Sequence, residues 1–184
     1  MKNALINSLN SISPIDGRYR NQIENLSRYF SEKALIYYRL VVEIEYFISL
    51  VEIPLPQLET FPIKKIKYLK KIYEKFTDED ALEVKKIEIQ TNHDVKAIEY
   101  FLKDKFDLIG ISKFKEFIHF GLTSQDINNT SIPLSIKHAI KEKYLPNLNE
   151  LMSNLKKLSN KSKNISMLAR THGQPASPTK LGKE

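Results

Sequence analysis

The 184-residue sequence predicts an all-α protein, with an N-terminal helical domain over residues 1–111 and the first part of a helical-bundle domain over residues 112–184. Three observations carry this. Apolar residues recur at spacings of three and four along most of the chain, the signature of amphipathic helices. No segment alternates convincingly enough to be a sheet strand. One helical pattern runs from near Ser124 to about Ser162 with few interruptions, a length suited to a bundle.

In chain order, Ser31 reads as the N-cap of a helix through about Val51. Leu35, Tyr38, Val41, Val42 and Ile48 share one broad face of it, and Pro54 and Pro56 forbid its continuation. Thr60 and Pro62 open a second helix, with Ile63, Ile66, Leu69 and Ile72 on one side and Lys64, Lys65, Lys67, Lys70 and Lys71 on the other. Thr77, followed by Asp78, Glu79 and Asp80, caps a third through about Ile89, its negative charge placed where the helix dipole favours it. Asn92-His93-Asp94 starts a fourth with Val95, Ile98, Phe101, Leu102 and Phe106 inward, and Gly110 breaks that pattern at the expected domain boundary. In the long segment, Leu148, Leu151, Met152, Leu155 and Leu158 form a narrow stripe expected to bury itself against partner helices, some from other subunits. Pro146 is expected to kink this helix or begin a new one, and Pro133 likewise unless Ser131 restarts the helix just ahead of it.

The chain has no cysteine, so a disulfide framework is excluded. Met1 to Asn7 lacks an apolar run of signal-peptide length, and no segment has the roughly 18 apolar residues of a membrane span. The expected location is cytoplasmic. The formal charge is +7, yet only five of the 29 basic residues are arginines, the type that nucleic-acid readers favour. The lysine run therefore reads as a solvated helix face. Surplus positive charge would equally suit a small polyanionic substrate.

Four polar clusters interrupt the helical patterns. Ala169 through Pro178 surrounds His172 with Gly173, Pro175 and Pro178, which predicts a shaped, irregular loop. A histidine held there is a candidate acid or base, and a capped surface loop is an equal reading. Phe120 through Thr130 places Thr123, Ser124 and Asp126 at a helix N-terminus, where an anion could bind or where Thr123 or Ser124 could serve only as the cap. Thr91-Asn92-His93-Asp94 joins a histidine to a carboxylate that could fix its tautomer or could cap the helix. Ser13 through Tyr19 is an Asp-Gly turn presenting Arg18 and Tyr19, a guanidinium and a phenol fit to hold an oxyanion and stack on a ring.

Taken together and in this order, Ser13-Pro14-Ile15-Asp16-Gly17-Arg18-Tyr19, Thr91 through Leu102, Phe117 through Asn129, and Ala169 through Pro178 with Gly182-Lys183-Glu184 resemble the adenylosuccinate lyases of the fumarase/aspartase superfamily. The likeness is to the bacterial subgroup of enterobacterial type and spans almost the whole chain; Pro133 departs from the family's long helix. The resemblance implies an anti β-elimination that splits a C–N bond, releasing fumarate from adenylosuccinate to give AMP and from the succinyl-carboxamide ribotide of earlier purine synthesis. It implies no metal and no organic cofactor. His172 matches the acid that protonates the departing nitrogen. Arg18 and Tyr19 match the nucleotide-binding pair, Asn92, His93 and Asp94 a second binding segment, and Thr123 with Ser124 a segment that hydrogen-bonds the succinyl carboxylate. The implied partners are the small succinylated purine nucleotide and further subunits of a homotetramer that shares its active sites, with neither nucleic acid nor membrane.

Family members are longer and carry their catalytic base, a serine, on a later Gly/Ser-rich loop that this sequence lacks. The expectation is an N-terminal portion, inactive alone, that stops at Leu181-Gly182-Lys183-Glu184 where another helix should begin. The alternatives are a non-catalytic helical interaction module on the same scaffold and a basic nucleic-acid binder. An enzyme needs its clusters to converge, a module needs only the long amphipathic helix, and a nucleic-acid binder loses affinity steeply with salt.

Overall fold

A computed structural model describes residues 11–53 and 55–184; Met1 to Asn7 and Pro54, on which two of the sequence expectations fall, lie outside these. The architecture is all-α with one hairpin. Helical turns at Arg20–Ile23 and Ser27–Phe30 lead into α1 (Glu32–Glu52), followed by α2 (Ile66–Glu74), α3 (Asp78–Thr91), α4 (Asp94–Leu108), α5 (Ser124–Ala139) and α6 (Leu145–Ser162), then β1 (Ser166–Thr171) and β2 (Gln174–Lys180). By packing, the chain divides into two compact units at Lys137/His138.

In the first unit the helix starts follow local chemistry. Ser31 Oγ accepts the Ala34 N–H at 3.2 Å. Thr77 and Asp80 form a complete capping box at the head of α3. α2 departs from expectation: its α-helix begins at Ile66 after a 3₁₀ turn, and the Thr60 hydroxyl accepts from Lys113 Nζ at 3.3 Å rather than capping. Ile63, expected inward, is 62% exposed. The tighter turn swings it off the α-helical face.

α1 is the axis of the core. Its buried residues include Ile36, Leu40, Ile44, Phe47, Ile48 and Leu50, whereas Leu35, Val41 and Val42 are only partly covered. The helix is thus packed on several sides rather than on the one face expected. Phe47 meets Phe106 and Phe61 edge-on at centroid distances of 4.9 and 5.5 Å, and Phe61 meets Phe114 at 5.1 Å. Each such ring contributes about 1.5–3 kcal/mol by burial alone, and edge-to-face packing adds to it. Val95, Ile98, Phe101, Leu102 and Phe106 of α4 all point inward as expected. Gly110, at φ +72°, ends that segment, and Ile111, Phe114 and Ile118 return to the same core.

α5 runs through Pro133 without breaking, and no restart occurs at Ser131, whose buried hydroxyl has no partner. Helical bonding then passes through a π segment at Ile140–Tyr144 into α6, where Pro146 sits in the first turn, which needs no N–H from it.

In the second unit Leu151, Met152, Leu155 and Leu158 are more than half exposed, so the chain itself leaves the expected stripe uncovered. β1 and β2 correct the expectation that no segment forms a strand and that the backbone around His172 is irregular. They pair antiparallel in register Thr171↔Gln174, with a bulge between Leu168 and Arg170. His172 and Gly173 form the two-residue connection, with φ +47° and +73°. A mirror-image hairpin turn requires such a positive pair. A two-stranded ribbon is all edge, so Pro175 and Pro178 are tolerated in it. Gly182 closes the unit: a Cβ there would collide with the Ser159 carbonyl oxygen, and the Ser159 hydroxyl donates to the Gly182 carbonyl. Among the described residues no helix is long and apolar enough to cross a membrane.

Candidate functional site

The first unit brings two of the four clusters together. Asn92 ends α3 in the left-handed region, at φ +50°, and α4 starts two residues later. A left-handed residue at a helix end turns the chain sharply, and asparagine tolerates that conformation. His93 is the N-cap of α4, and the capping acceptor is its imidazole: Nδ1 receives the Lys96 N–H at 3.1 Å. A neutral ring that accepts at Nδ1 carries its proton on Nε2. That Nε2 lies 3.4 Å from Ser124 Oγ, at the first residue of α5. The ring is about half exposed, so the pair faces solvent.

The tautomer is therefore set by a backbone N–H and not by Asp94, whose nearer oxygen is 3.7 Å from Nδ1. Asp94 turns instead to its own helix and to Arg39, accepting the Val95 N–H at 2.9 Å and the Arg39 Nη2 at 2.6 Å. Partial burial works to raise its pKa, but the Val95 N–H and the guanidinium outweigh this and hold the carboxyl below its usual range. Asn92, His93 and Asp94 also line an open cleft of about 490 Å³ with Lys85, Glu88 and Ile89.

Thr123 and Ser124 separate in role. The Asp126 carboxylate accepts the Thr123 N–H at 2.7 Å and the Thr123 hydroxyl at 2.9 Å. These bonds engage Thr123 in capping and hold Asp126 below the usual carboxylate range. The Ser124 hydroxyl faces His93 at the positive end of α5. A ring N–H, a hydroxyl and free backbone N–H groups in one place can hold a carboxylate or phosphate.

Sequence reasoning passed over the residues that assemble this pair. Arg39, Glu43 and Tyr46 occupy one side of α1 at spacings of four and three. Arg39, almost wholly buried, also donates from Nε to Asn128 Oδ1 of α5 at 2.9 Å. Glu43 is 0% exposed and meets His119 Nδ1 at 2.5 Å, while its other oxygen has no partner. Burial raises the Glu43 pKa and the bond to His119 offsets this only in part. Tyr46 donates to the Phe120 carbonyl at 2.8 Å. The latter two grips hold His119, at φ +59°, and Phe120 in the connection that delivers Thr123 and Ser124 to α5. The signal in the sequence was a charged pair, Arg39 and Glu43, inside a helix otherwise rich in apolar residues.

Arg18 and Tyr19 lie in the turn before α1, exposed, with the guanidinium 5.5 Å from the phenol ring centroid. The turn is closed by Asp16 and Gly17 N–H groups donating to the Ser13 carbonyl. His172 is exposed at the hairpin tip of the second unit, at φ +47°. Among the described residues no group of three or more His, Cys, Asp or Glu side chains could hold a metal ion.

Comparison with known proteins places residues 17–184 in a match to the family described as Lyase. The chain is 50% identical to an adenylosuccinate lyase of Dictyostelium discoideum over 99% of its own length, 47% identical to one of Legionella pneumophila (strain Corby) over 97%, and 42% identical to one of Escherichia coli (strain K12) over 97%. In each case it spans 40% of the relative's length.

Proposed function

The chain belongs to this lyase family, and from that premise we propose that it supplies part of the active site of an adenylosuccinate lyase of purine and AMP biosynthesis. The reaction is an anti β-elimination that releases fumarate from adenylosuccinate, giving AMP, and from the succinyl-carboxamide ribotide intermediate. The observation that carries the reading is the His93 Nε2–Ser124 Oγ pair at the start of α5, a polar, positively poled recess suited to a succinyl carboxylate. Bonds of this kind are often long without substrate and shorten when it binds.

On this reading His172 protonates the departing nitrogen, Arg18 and Tyr19 hold the nucleotide, and Asn92, His93 and Asp94 with Thr123 and Ser124 bind near the reacting groups. The base belongs to the part of the relatives that this chain does not span. The working state is a cytoplasmic homotetramer with shared sites, using neither metal nor organic cofactor. An interaction module on the same scaffold is not favoured, since the relatives are named as lyases.

The test is His172→Ala in the longer protein that contains this chain. Loss of a positioned acid should lower fumarate release about 10²- to 10⁴-fold. Because His172 is exposed at a turn, the melting temperature should hardly move. Retained turnover with lost stability would sink the assignment.

A further inference from the structure

His93 and Ser124 stand on different helices, and neither α4 nor α5 alone dictates that they meet. Each is next to, or one turn from, a residue bound by Arg39: Asp94 follows His93, and Asn128 lies one turn beyond Ser124. Arg39 reaches both with separate nitrogens, Nη2 to Asp94 Oδ2 and Nε to Asn128 Oδ1. We infer that Arg39 is a positioning residue, a buried clamp that fixes the α4 N-terminus against the first turns of α5 and so sets the His93–Ser124 pair.

The chemistry favours a guanidinium at this point. Its planar fork presents donors in fixed directions, so one side chain constrains two partners at once; an ammonium on a flexible stem would serve as a point charge without that geometry. The charge is almost fully removed from water, which makes the Asp94 carboxylate its obligatory counterpart and leaves little freedom for either to swing away. Asp94 is in turn held by the Val95 N–H at the start of α4, so a shift of the carboxylate is a shift of the helix end that carries His93. Asn128 sits one turn into α5, on the same run of backbone as Ser124.

The structural claim stands on these contacts; its consequence for catalysis rests on the reading of His93 and Ser124 as substrate-binding residues. The test uses ring-labelled histidine in this chain and two-bond ¹⁵N–¹H spectra, with His93 assigned by substitution. Wild type should show the Nε2–H ring, and Ser124→Ala should shift its Nε2 resonance. In Arg39→Met, which keeps the apolar stem, that response to Ser124→Ala should disappear while far-ultraviolet circular dichroism stays helical. If Arg39→Met does not fold, Asn128→Ala decides, because it cuts the link to α5 without removing the buried charge. A response that persists in either folded variant overturns the inference, as does its loss in Lys33→Met, which breaks only an exposed pair with Asp78. In the longer protein, Arg39→Met should raise KM for adenylosuccinate roughly 10- to 100-fold, the effect of misplacing a binding group by about an ångström. An unmoved KM where His93→Ala raises it would also overturn the clamp. If the wild-type protein fails to cleave adenylosuccinate, the proposed function fails, and the ring spectra still decide the role of Arg39.

Discussion

The two compact units place their histidines by different means. In the first, helices close on one aromatic-rich core, and His93 is held by a cap to Lys96, a clamp through Arg39 and an approach to Ser124. In the second, α6 buries only Ser162, and His172 is placed by the backbone of a two-residue turn. The contrast teaches that a side chain can be aimed either by packing or by dihedral angles. The first mode ties the site to the helices that form the core. The second isolates the residue from the core and exposes it to whatever approaches the turn.

The largest effect that would break this contrast lies in the core. Phe106 carries a ring that is 1% exposed and set edge-on against Phe47. Phe106→Ala should cost about 3–5 kcal/mol. Leu155, by contrast, is 56% exposed. Leu155→Ala should change stability by no more than about 0.5 kcal/mol. Urea titrations followed by circular dichroism would measure both, and comparable losses would show that α6 is packed after all. The same Leu155 substitution should weaken self-association in sedimentation, since an apolar stripe of this kind invites partners.

A smaller effect sharpens the point for local chemistry. Thr77→Ala deletes one half of the α3 capping box, and loss of such a cap should cost about 1 kcal/mol. The His93 ring spectrum should not change, because Thr77 caps the end of α3 opposite to Asn92 and His93. A displaced His93 resonance would mean that the cap, too, transmits to the site.

The subtlest effect is a pH slope. Glu43 has its folded pKa raised above the ordinary 4.5, so the native state retains a proton that the unfolded chain releases. Its contribution is complete below pH 4.5 and is lost as pH rises through the folded pKa. Glu99 adds repulsion to the carboxylate and His119 opposes it. Glu43→Gln cannot ionise yet keeps a carbonyl acceptor for His119, so the variant should gain stability relative to wild type as pH rises above 4.5. Parallel curves of unfolding midpoint against pH would refute this.

Sequence alone determined most of the long helices and several of their starts, because periodicity and caps act over four residues, though not the start of α2 or the π segment between α5 and α6. Ser31, Thr77 and the inward set Val95, Ile98, Phe101, Leu102 and Phe106 were all legible for that reason. It also singled out His93, Ser124 and His172 as polar interruptions of helical pattern. The hairpin was not legible, since His172-Gly173 lacks the Asn-Gly signature and two prolines disguise β2; only pairing across the turn satisfies those strands. Nor could periodicity tell that α1 is packed on several sides, or that Arg39 and Glu43 lie inside it. A charged residue is buried only where another element brings it a partner, and the partners here, Asp94, Asn128 and His119, are far away along the chain. Local rules cannot see across that distance. The meeting of His93 with Ser124 belongs to the tertiary structure because two helix starts approach only when a third helix grips both.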